Sequence, residues 1–374
     1  MSTDDFYAII PAGGVGTRLW PLSRRSRPKF LFDLPGQGRT MIQATFDRLS
    51  AICGDDHVAV STGAQHVDAV RTQLPELGVN AVFAEPVPRD STAAIALATA
   101  VLAKRHGDHI VVGSFAADHV IRDDGAFAMS VRQAVAAARA GYVATIGIAA
   151  SRPSTAFGYI HQGRSLADRV PDAPDARLVS EFVEKPDAAT AQAYLATGEY
   201  RWNAGMFVMR ADVVLDCLRR YKPELHRSVL AIAQAWDVSP EARERAMREH
   251  WAGIEKIAFD YAVAEPLSVA GGVAVVPGGF GWDDIGDFNS VAALLPSSNR
   301  RNIKILGDPD RVVYLDSAGD VVVPDADRTV ALLGVDDMVV VDTSDALLIA
   351  PRARSQEVKD MVAKLTEEGR ENIL

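Results

Sequence analysis

Over the first 150 residues, short apolar, β-prone runs alternate with alanine-rich stretches, and this alternation constrains the fold more than any other feature. Phe6–Ile10, His57–Val60, Ala81–Ala84, Ile110–Gly113 and Tyr142–Ile146 read as strands, with helices expected around 41–49, 65–74, 91–105 and 125–138. A parallel strand pair needs a crossover of a dozen or more residues, which a helix supplies, and such crossovers are right-handed. Strands that are apolar throughout need cover on both faces. The expected fold class is α/β, a doubly wound and mostly parallel sheet.

The pattern changes after Arg152-Pro153. The runs 157–162 and 177–183 flank a Pro/Asp-rich loop at 171–175 and read as an antiparallel excursion. Helices are expected at 188–196, 211–221 and 241–250, and a strand at 273–277. Beyond Asn299-Arg300-Arg301-Asn302, short β-rich segments recur at 311–315, 320–323, 329–333, 338–342 and 346–349, with no helix until 355–368. Closely spaced strands without crossovers imply a small β-rich module, compatible with a few coils of a β-solenoid. The domain expectation is a catalytic core over 1–295 and this module over 296–374.

Composition excludes several classes. The 374 residues are 48% hydrophobic and 24% charged, values of a folded chain. With 39 basic and 49 acidic residues the formal net charge is −10, so no bulk basic surface exists for nucleic acid or an anionic membrane. A polyphosphate ligand must be held by a local cluster of Lys, Arg, backbone N–H groups and metal. The two cysteines, Cys53 and Cys217, read as small hydrophobes, not a bridge. The start, Met1-Ser2-Thr3-Asp4-Asp5, has no basic leader, and no apolar stretch reaches the ~18–20 residues of a membrane span. A cytoplasmic location is expected.

The chemistry concentrates after the first strand, in Pro11-Ala12-Gly13-Gly14-Val15-Gly16-Thr17-Arg18-Leu19-Trp20-Pro21-Leu22. Three glycines in four positions let backbone N–H groups approach an anion. The spacing fits neither a dinucleotide fingerprint nor a GxxxxGK[ST] loop. Arg18 adds a planar fork of donors suited to phosphate. In the basic stretch that follows, Arg24 and Arg25 read as solvated, while Lys29, between Pro28 and the apolar Phe30-Leu31-Phe32, reads as functional. His106 and His109 read as a solvated helix end, and Trp236 and Trp251 as core.

The stretch Gly13–Leu22 closing with Pro28-Lys29 resembles the signature of the sugar-1-phosphate nucleotidyltransferases, and within them the bacterial mannose-1-phosphate guanylyltransferases. The resemblance continues in order through Ala117-Asp118-His119, Phe157-Gly158-Tyr159-Ile160, Phe182-Val183-Glu184-Lys185-Pro186, Trp202–Phe207, Phe259-Asp260-Tyr261-Ala262 and Trp282-Asp283-Asp284-Ile285-Gly286. It implies a Rossmann-like core that uses GTP, mannose 1-phosphate and Mg²⁺, with the sugar phosphate attacking the α-phosphorus in line. Catalysis is then positioning and charge neutralisation.

The resemblance assigns Arg18, Lys29, Asp118 and Asp284 to the chemistry, with Asp118 and Asp284 as the metal carboxylates; Asp283 remains an alternative to Asp284. Taken alone, Asp118 also reads as a turn or helix N-cap. Nucleotide contacts are expected from Ala12, Gly13, Gly14, Gly16, Thr17, Glu85, Arg89, Asp90 and Ser91. The sugar phosphate falls to Gly158, Glu184, Lys185, Asn203, Gly205 and Asp260. The pair Glu184–Lys185 is also readable as an exposed ion pair, and Asp260 as a helix cap.

The largest departure from the family is Glu85–Ile95, where Asp90, Ser91 and Ala93 replace the family's Asn, Thr and Pro. Asp90 suits guanine N1–H and N2–H₂ as an acceptor, or the N-cap of the next helix. Ala156 stands where a glycine is usual. Two alternatives therefore stay open: the same chemistry with ATP or dTTP and glucose 1-phosphate, or a non-catalytic subunit that senses nucleotide-sugar. Some longer relatives add an isomerase domain; none is expected before Leu374. Family analogy alone suggests homo-oligomers formed through the C-terminal module.

Overall fold

The computed structural model describes residues 4–374, so the expectation for Met1-Ser2-Thr3 lies outside the described residues. The chain forms two compact units that interleave in sequence. The first takes the chain up to Gly13, then Thr45–Ala117 and Ile121–Trp282; the second takes Gly14–Ala44, Asp118–Val120 and Asp283–Leu374. A boundary at residue 295 falls inside the second unit.

The first unit is built on a nine-stranded sheet among the described residues. Its strands are β1 (Phe6–Ala12), β2 (Val58–Gly63), β3 (Val82–Glu85), β4 (Val111–Ser114), β5 (Val143–Ala149), β6 (Tyr159–Ser165), β7 (Arg177–Val183), β8 (Tyr200–Arg210) and β9 (Val273–Gly278). They lie in the order β3-β2-β1-β4-β8-β5-β9-β7-β6. The parallel expectation holds for β1 with β2 and β4, β2 with β3, and β5 with β9. The sheet as a whole is mixed, because β8 runs antiparallel to β4, β5 and β6, and β7 antiparallel to β6 and β9. Since β8 pairs with both β5 and β6, the strands β8-β5-β9-β7-β6 close into a ring.

The helices are α1 (Met41–Cys53), α2 (Val67–Gln73), α3 (Asp90–His106), α4 (Asp124–Arg139), α5 (Ala188–Thr197), α6 (Ala211–Tyr221), α7 (Pro223–Ala235), α8 (Pro240–His250) and α9 (Glu265–Val269). In α3 every residue from Thr92 to Ala103 is buried, and its alanines let α6 and α7 pack close around Val214, Leu218, Val229 and Ile232. Separately, α4 sets Phe127 edge-on against Phe115 and Phe280. Asp123, Asp187 and Ser239 cap α4, α5 and α8 through their side chains. Trp236 and Trp251 are core residues, and Cys53 and Cys217 are free thiols.

In the second unit, α10 (Phe288–Leu294) precedes β10 (Lys304–Ile305), β11 (Val312–Leu315), β12 (Val321–Pro324), β13 (Val330–Leu333), β14 (Met338–Asp342) and β15 (Leu347–Pro351), and α11 (Val358–Glu367) follows. The coil ladders are parallel, Val321 pairing with Val339 and Val312 with Val330, so that such a coil takes 18 residues, while β15 returns antiparallel to β14. Ile303, Val312, Val322, Leu332 and Val340 fill the interior, the signature of a β-solenoid.

Candidate active site

The glycine-rich turn lies mostly in the second unit. Gly13 and Gly14 are exposed, and a Cβ at either would meet nothing within 4 Å, so a ligand can approach their backbone. Gly16 is different. Its φ of +76° is left-handed, and a Cβ would stand 2.7 Å from Lys29 Cβ, so only glycine fits. The Leu19 N–H donates to Gly16 O at 2.9 Å, closing a single 3-10 turn over Thr17–Leu19. Thr17 is exposed, whereas Ala12, in β1, is buried with its carbonyl accepting from Thr62 Oγ1 at 2.7 Å.

Lys29 is 5% exposed, and its Nζ sits 2.8 Å from Asp118 Oδ2 while donating to the main-chain carbonyl of Asp284. Burial pushes Asp118 towards the protonated form, but the charges of Lys29 and His119 outweigh it and hold the carboxyl below its usual value. Asp284 goes the other way. Burial raises it, the repulsion from Asp283 and Asp118 adds to the rise, and Lys29 and Arg18 only moderate it. Asp283 is committed to a turn, its Oδ1 accepting from the Ile285 N–H at 2.8 Å. Ile285 itself has φ of 43°, a strained value for a β-branched residue.

Arg18 is expected at the site from its motif, but its support carries no local signal. Its Nη1 donates to Gln356 Oε1 at 2.9 Å, and Gln356 Nε2 donates in turn to Asp287, which caps α10. No local signal links residues 338 positions apart. Arg24 corrects the sequence reading. Its side chain is only 12% exposed and binds Asp345 Oδ1 at 2.6 Å and the Ile373 carbonyl at 2.6 Å. It ties the basic segment to the end of the chain.

In the first unit, Gly158, Glu184, Lys185, Asn203, Gly205 and Asp260 come together. Glu184 is nearly buried and its Oε1 accepts from Lys185 Nζ at 2.9 Å, while Lys185 stays about half exposed. A Cβ on Gly158 would overlap Glu184 Oε2. Asn203 donates from Nδ2 to Asp260 Oδ1 at 2.6 Å, and its Oδ1 accepts from Thr145 Oγ1 at 2.9 Å and Gly205 N–H at 3.1 Å. Burial, then the Glu184 charge, pushes Asp260 up to about 7. Lys185 is raised despite burial, because the hydrogen bond and charge of Glu184, with Asp260, outweigh it.

The base-pocket candidates are largely tied into the first unit. Glu85 is buried, accepts from Ser61 Oγ at 3.0 Å, and is raised by that burial. Arg89 donates to the Ala252 carbonyl, and Ser91 Oγ accepts from the Phe259 N–H at 2.9 Å. Asp90 does not cap α3 as one reading expected. The helix begins at Asp90 with Arg89 preceding it, no side chain closes the turn, and Asp90 Oδ1 accepts from the adjacent Ser91 N–H at 2.8 Å. Asp90 remains exposed, with φ of 67°.

Comparison with known proteins decides the family. The model described as "Nucleotidyl transferase" matches residues 7–298. The chain belongs to the nucleotidyl transferase family. A second family description, a "MannoseP isomerase/GMP-like beta-helix domain", matches residues 310–365, where the solenoid lies. This nucleotidyltransferase is 37% identical over 370 residues to "Xanthan biosynthesis protein XanB" of Xanthomonas campestris pv. campestris, covering 98% of this chain and 74% of that one. It is 37% identical over 385 residues to the "Mannose-1-phosphate guanylyltransferase" of Escherichia coli K12, covering 99% and 75%. A Thermus thermophilus structure described as "mannose-1-phosphate geranyltransferase" superposes with a TM-score of 0.82 at 32% identity, over 97% of this chain and 99% of the other.

As to metal, no cluster of three or more His, Cys, Asp and Glu side chains is placed for a cage among the described residues. Asp118 and Asp284 fit a smaller demand. Mg²⁺ commonly takes one or two carboxylates and completes its shell with phosphate oxygens and water, and a dication would relieve the repulsion that Asp284 feels.

Proposed function

We propose that this nucleotidyltransferase transfers GMP from GTP to mannose 1-phosphate, giving GDP-mannose and pyrophosphate. The observation that carries the reading is the buried Lys29, whose ammonium meets the Asp118 carboxylate and the Asp284 main chain, 255 residues away. A cation and two carboxylates in one place suit a metal-bound polyphosphate. The family and the names of the relatives point to the substrates.

In this reading a phosphate oxygen of mannose 1-phosphate attacks the α-phosphorus as the bond to the β-phosphate oxygen breaks. Arg18 and Lys29 neutralise the triphosphate and the departing pyrophosphate, each good charged contact being worth about 1.5–3 kcal/mol. Backbone N–H groups near Gly13, Gly14 and Gly16 hold phosphate oxygens, with Ala12 and Thr17 beside them. Lys185 binds the sugar phosphate, and Glu184 and Asn203 the sugar hydroxyls. Gly205 and Gly158 let the sugar approach the backbone, and Asp260 fixes Asn203. Asp90, exposed and acidic, accepts from guanine, with Glu85, Arg89 and Ser91 shaping that segment. Mg²⁺, when bound by Asp118 and Asp284, supplies charge neutralisation on the phosphates.

The proposed location is the cytoplasm, where nucleoside triphosphates are available. No helix of the described residues is long and apolar enough to cross a membrane. Copies of the chain are proposed to associate through the C-terminal module, which exposes Val313, Leu315, Leu333, Leu347 and Ile349.

The deciding experiment is pyrophosphate release with Mg²⁺, crossing GTP, ATP, dTTP and UTP against mannose 1-phosphate and glucose 1-phosphate. Release confined to GTP with mannose 1-phosphate is expected. Release with another pair would retain the chemistry and discard the guanine role of Asp90. No release, with nucleotide-sugar still bound, would make the chain a sensing subunit.

A further inference from the structure

A polar cavity of about 540 Å³ lies in the first unit and includes none of the residues assigned above. Gln162 and Ser165 of β6, Arg177 of β7, Arg201 of β8 and Pro277 of β9 line it. Four of the five strands of the closed ring therefore contribute to one wall, and the mouths of such rings are common ligand sites.

Two arginines share this cavity. Arg201 is half-buried, and its Nε is inaccessible to solvent with no hydrogen-bond partner. Among the described residues no carboxylate pairs with it. The Arg177 side chain donates to the Gly163 carbonyl, at 3.3 Å. Two acidic groups share the wall without bonding to either arginine: Asp175 Oδ2 accepts from Gln133 Nε2 at 2.8 Å, and Glu199 Oε2 lies 3.1 Å from Nε2 of His161, which also lines the cavity. The other His161 nitrogen faces Ser180 Oγ at 2.5 Å. Burial and then the positive charge of Arg177 make Arg201 a weaker base than usual. Arg177 is exposed, so it is Arg201, half-buried with an unmet donor beside a like charge, that gains most when an anion joins the two.

We propose that this cavity is a binding site for a small phosphate-bearing anion, held by Arg177 and Arg201 with Gln162 and Ser165 completing its hydrogen bonds. Planar guanidinium forks match phosphate oxygens, and the amide and hydroxyl supply neutral donors. The site does not depend on the transfer reading, because it uses none of those residues.

The test is modification of arginine by phenylglyoxal in the full chain, read peptide by peptide, with inorganic phosphate as the protecting ligand and pyrophosphate in parallel. Saturable protection of Arg177 and Arg201 is expected in the unmodified protein and equally in Lys185→Ala and Arg18→Ala variants. The anion that protects at lower concentration identifies whether a monophosphate or a diphosphate is the better fit. Arg201→Met should weaken protection of Arg177 by about ten- to a hundredfold, as loss of one charged contact predicts. It should also lose the phosphate-dependent rise in melting temperature while folding normally in phosphate-free buffer. Absence of saturable protection, or protection that disappears in Lys185→Ala, would overturn the proposal. So would an Arg201→Met melting shift that is the same with and without phosphate, since that marks a purely structural arginine.

Discussion

Gly158 leaves the Glu184 carboxylate the space that its own side chain would fill: a Cβ there would overlap Glu184 Oε2 and press on Asn203 Cβ at 3.3 Å. Gly158→Ala is therefore expected to displace Glu184, and with it Lys185, without disturbing the sheet. KM for the sugar phosphate should rise about tenfold or more, with kcat and melting temperature changing little. Steady-state kinetics at saturating nucleotide check this, and an unchanged KM would show that Glu184 does not contact the sugar.

Asp118 and Lys185 sit in separate units and should fail differently. Asp118→Asn removes the charged partner of Lys29 and one proposed metal carboxylate, so turnover should fall by at least about a hundredfold with the fold intact. Lys185→Ala should mainly raise KM for the sugar phosphate. Near-normal turnover in Asp118→Asn would remove it from the site.

Asp260 makes stability depend on pH. Its folded pKa is raised from 3.8 to about 7, so between those values the native state holds a proton that the unfolded chain has released. Stability then falls as pH rises across that window, by at most about 1.4 kcal/mol per pH unit from this group, and the full loss is reached above about pH 7. Asp260→Asn removes this component. Thermal melts should show the variant gaining on the parent from pH 5 to pH 8; parallel curves would refute the assignment.

Arg24 fixes the C-terminal segment through Asp345, Thr343 and the Ile373 carbonyl. Because Asp345 is 47% exposed, the charge pairing is partly screened, and Arg24→Ala should cost only about 1–2 kcal/mol. Hydrogen exchange should accelerate at residues 371–374 and around Thr343. Exchange unchanged there would show that the tether is not holding.

The legible parts of this protein were those set by neighbouring residues. The strands β1 to β5 and the helices between them follow from local apolar runs and alanine-rich stretches, and the Gly16 turn from residue chemistry alone. β8 was legible only as a motif, since Asn203-Ala204-Gly205 breaks its alternation; it becomes a strand by pairing with β4, β5 and β6. α7 was not among the expected helices; Pro223, which cannot continue α6, occupies the favoured first turn of a new helix.

Arg24, Arg25 and Lys29 look alike as letters in a basic run. Packing alone makes Lys29 buried, Arg24 a tether and Arg25 exposed. Likewise Asp283 and Asp284 are neighbours, and only the turn at Ile285 commits one and leaves the other beside Arg18 and Lys29. The sequence by itself determined most strands and helices of the first 150 residues, the glycine turn and the residue types available for phosphate chemistry, because these depend on local sterics and on composition. Tertiary structure decided the antiparallel placement of β8, ring closure and which charges meet. Those depend on contacts between segments hundreds of residues apart, and no local pattern encodes such contacts.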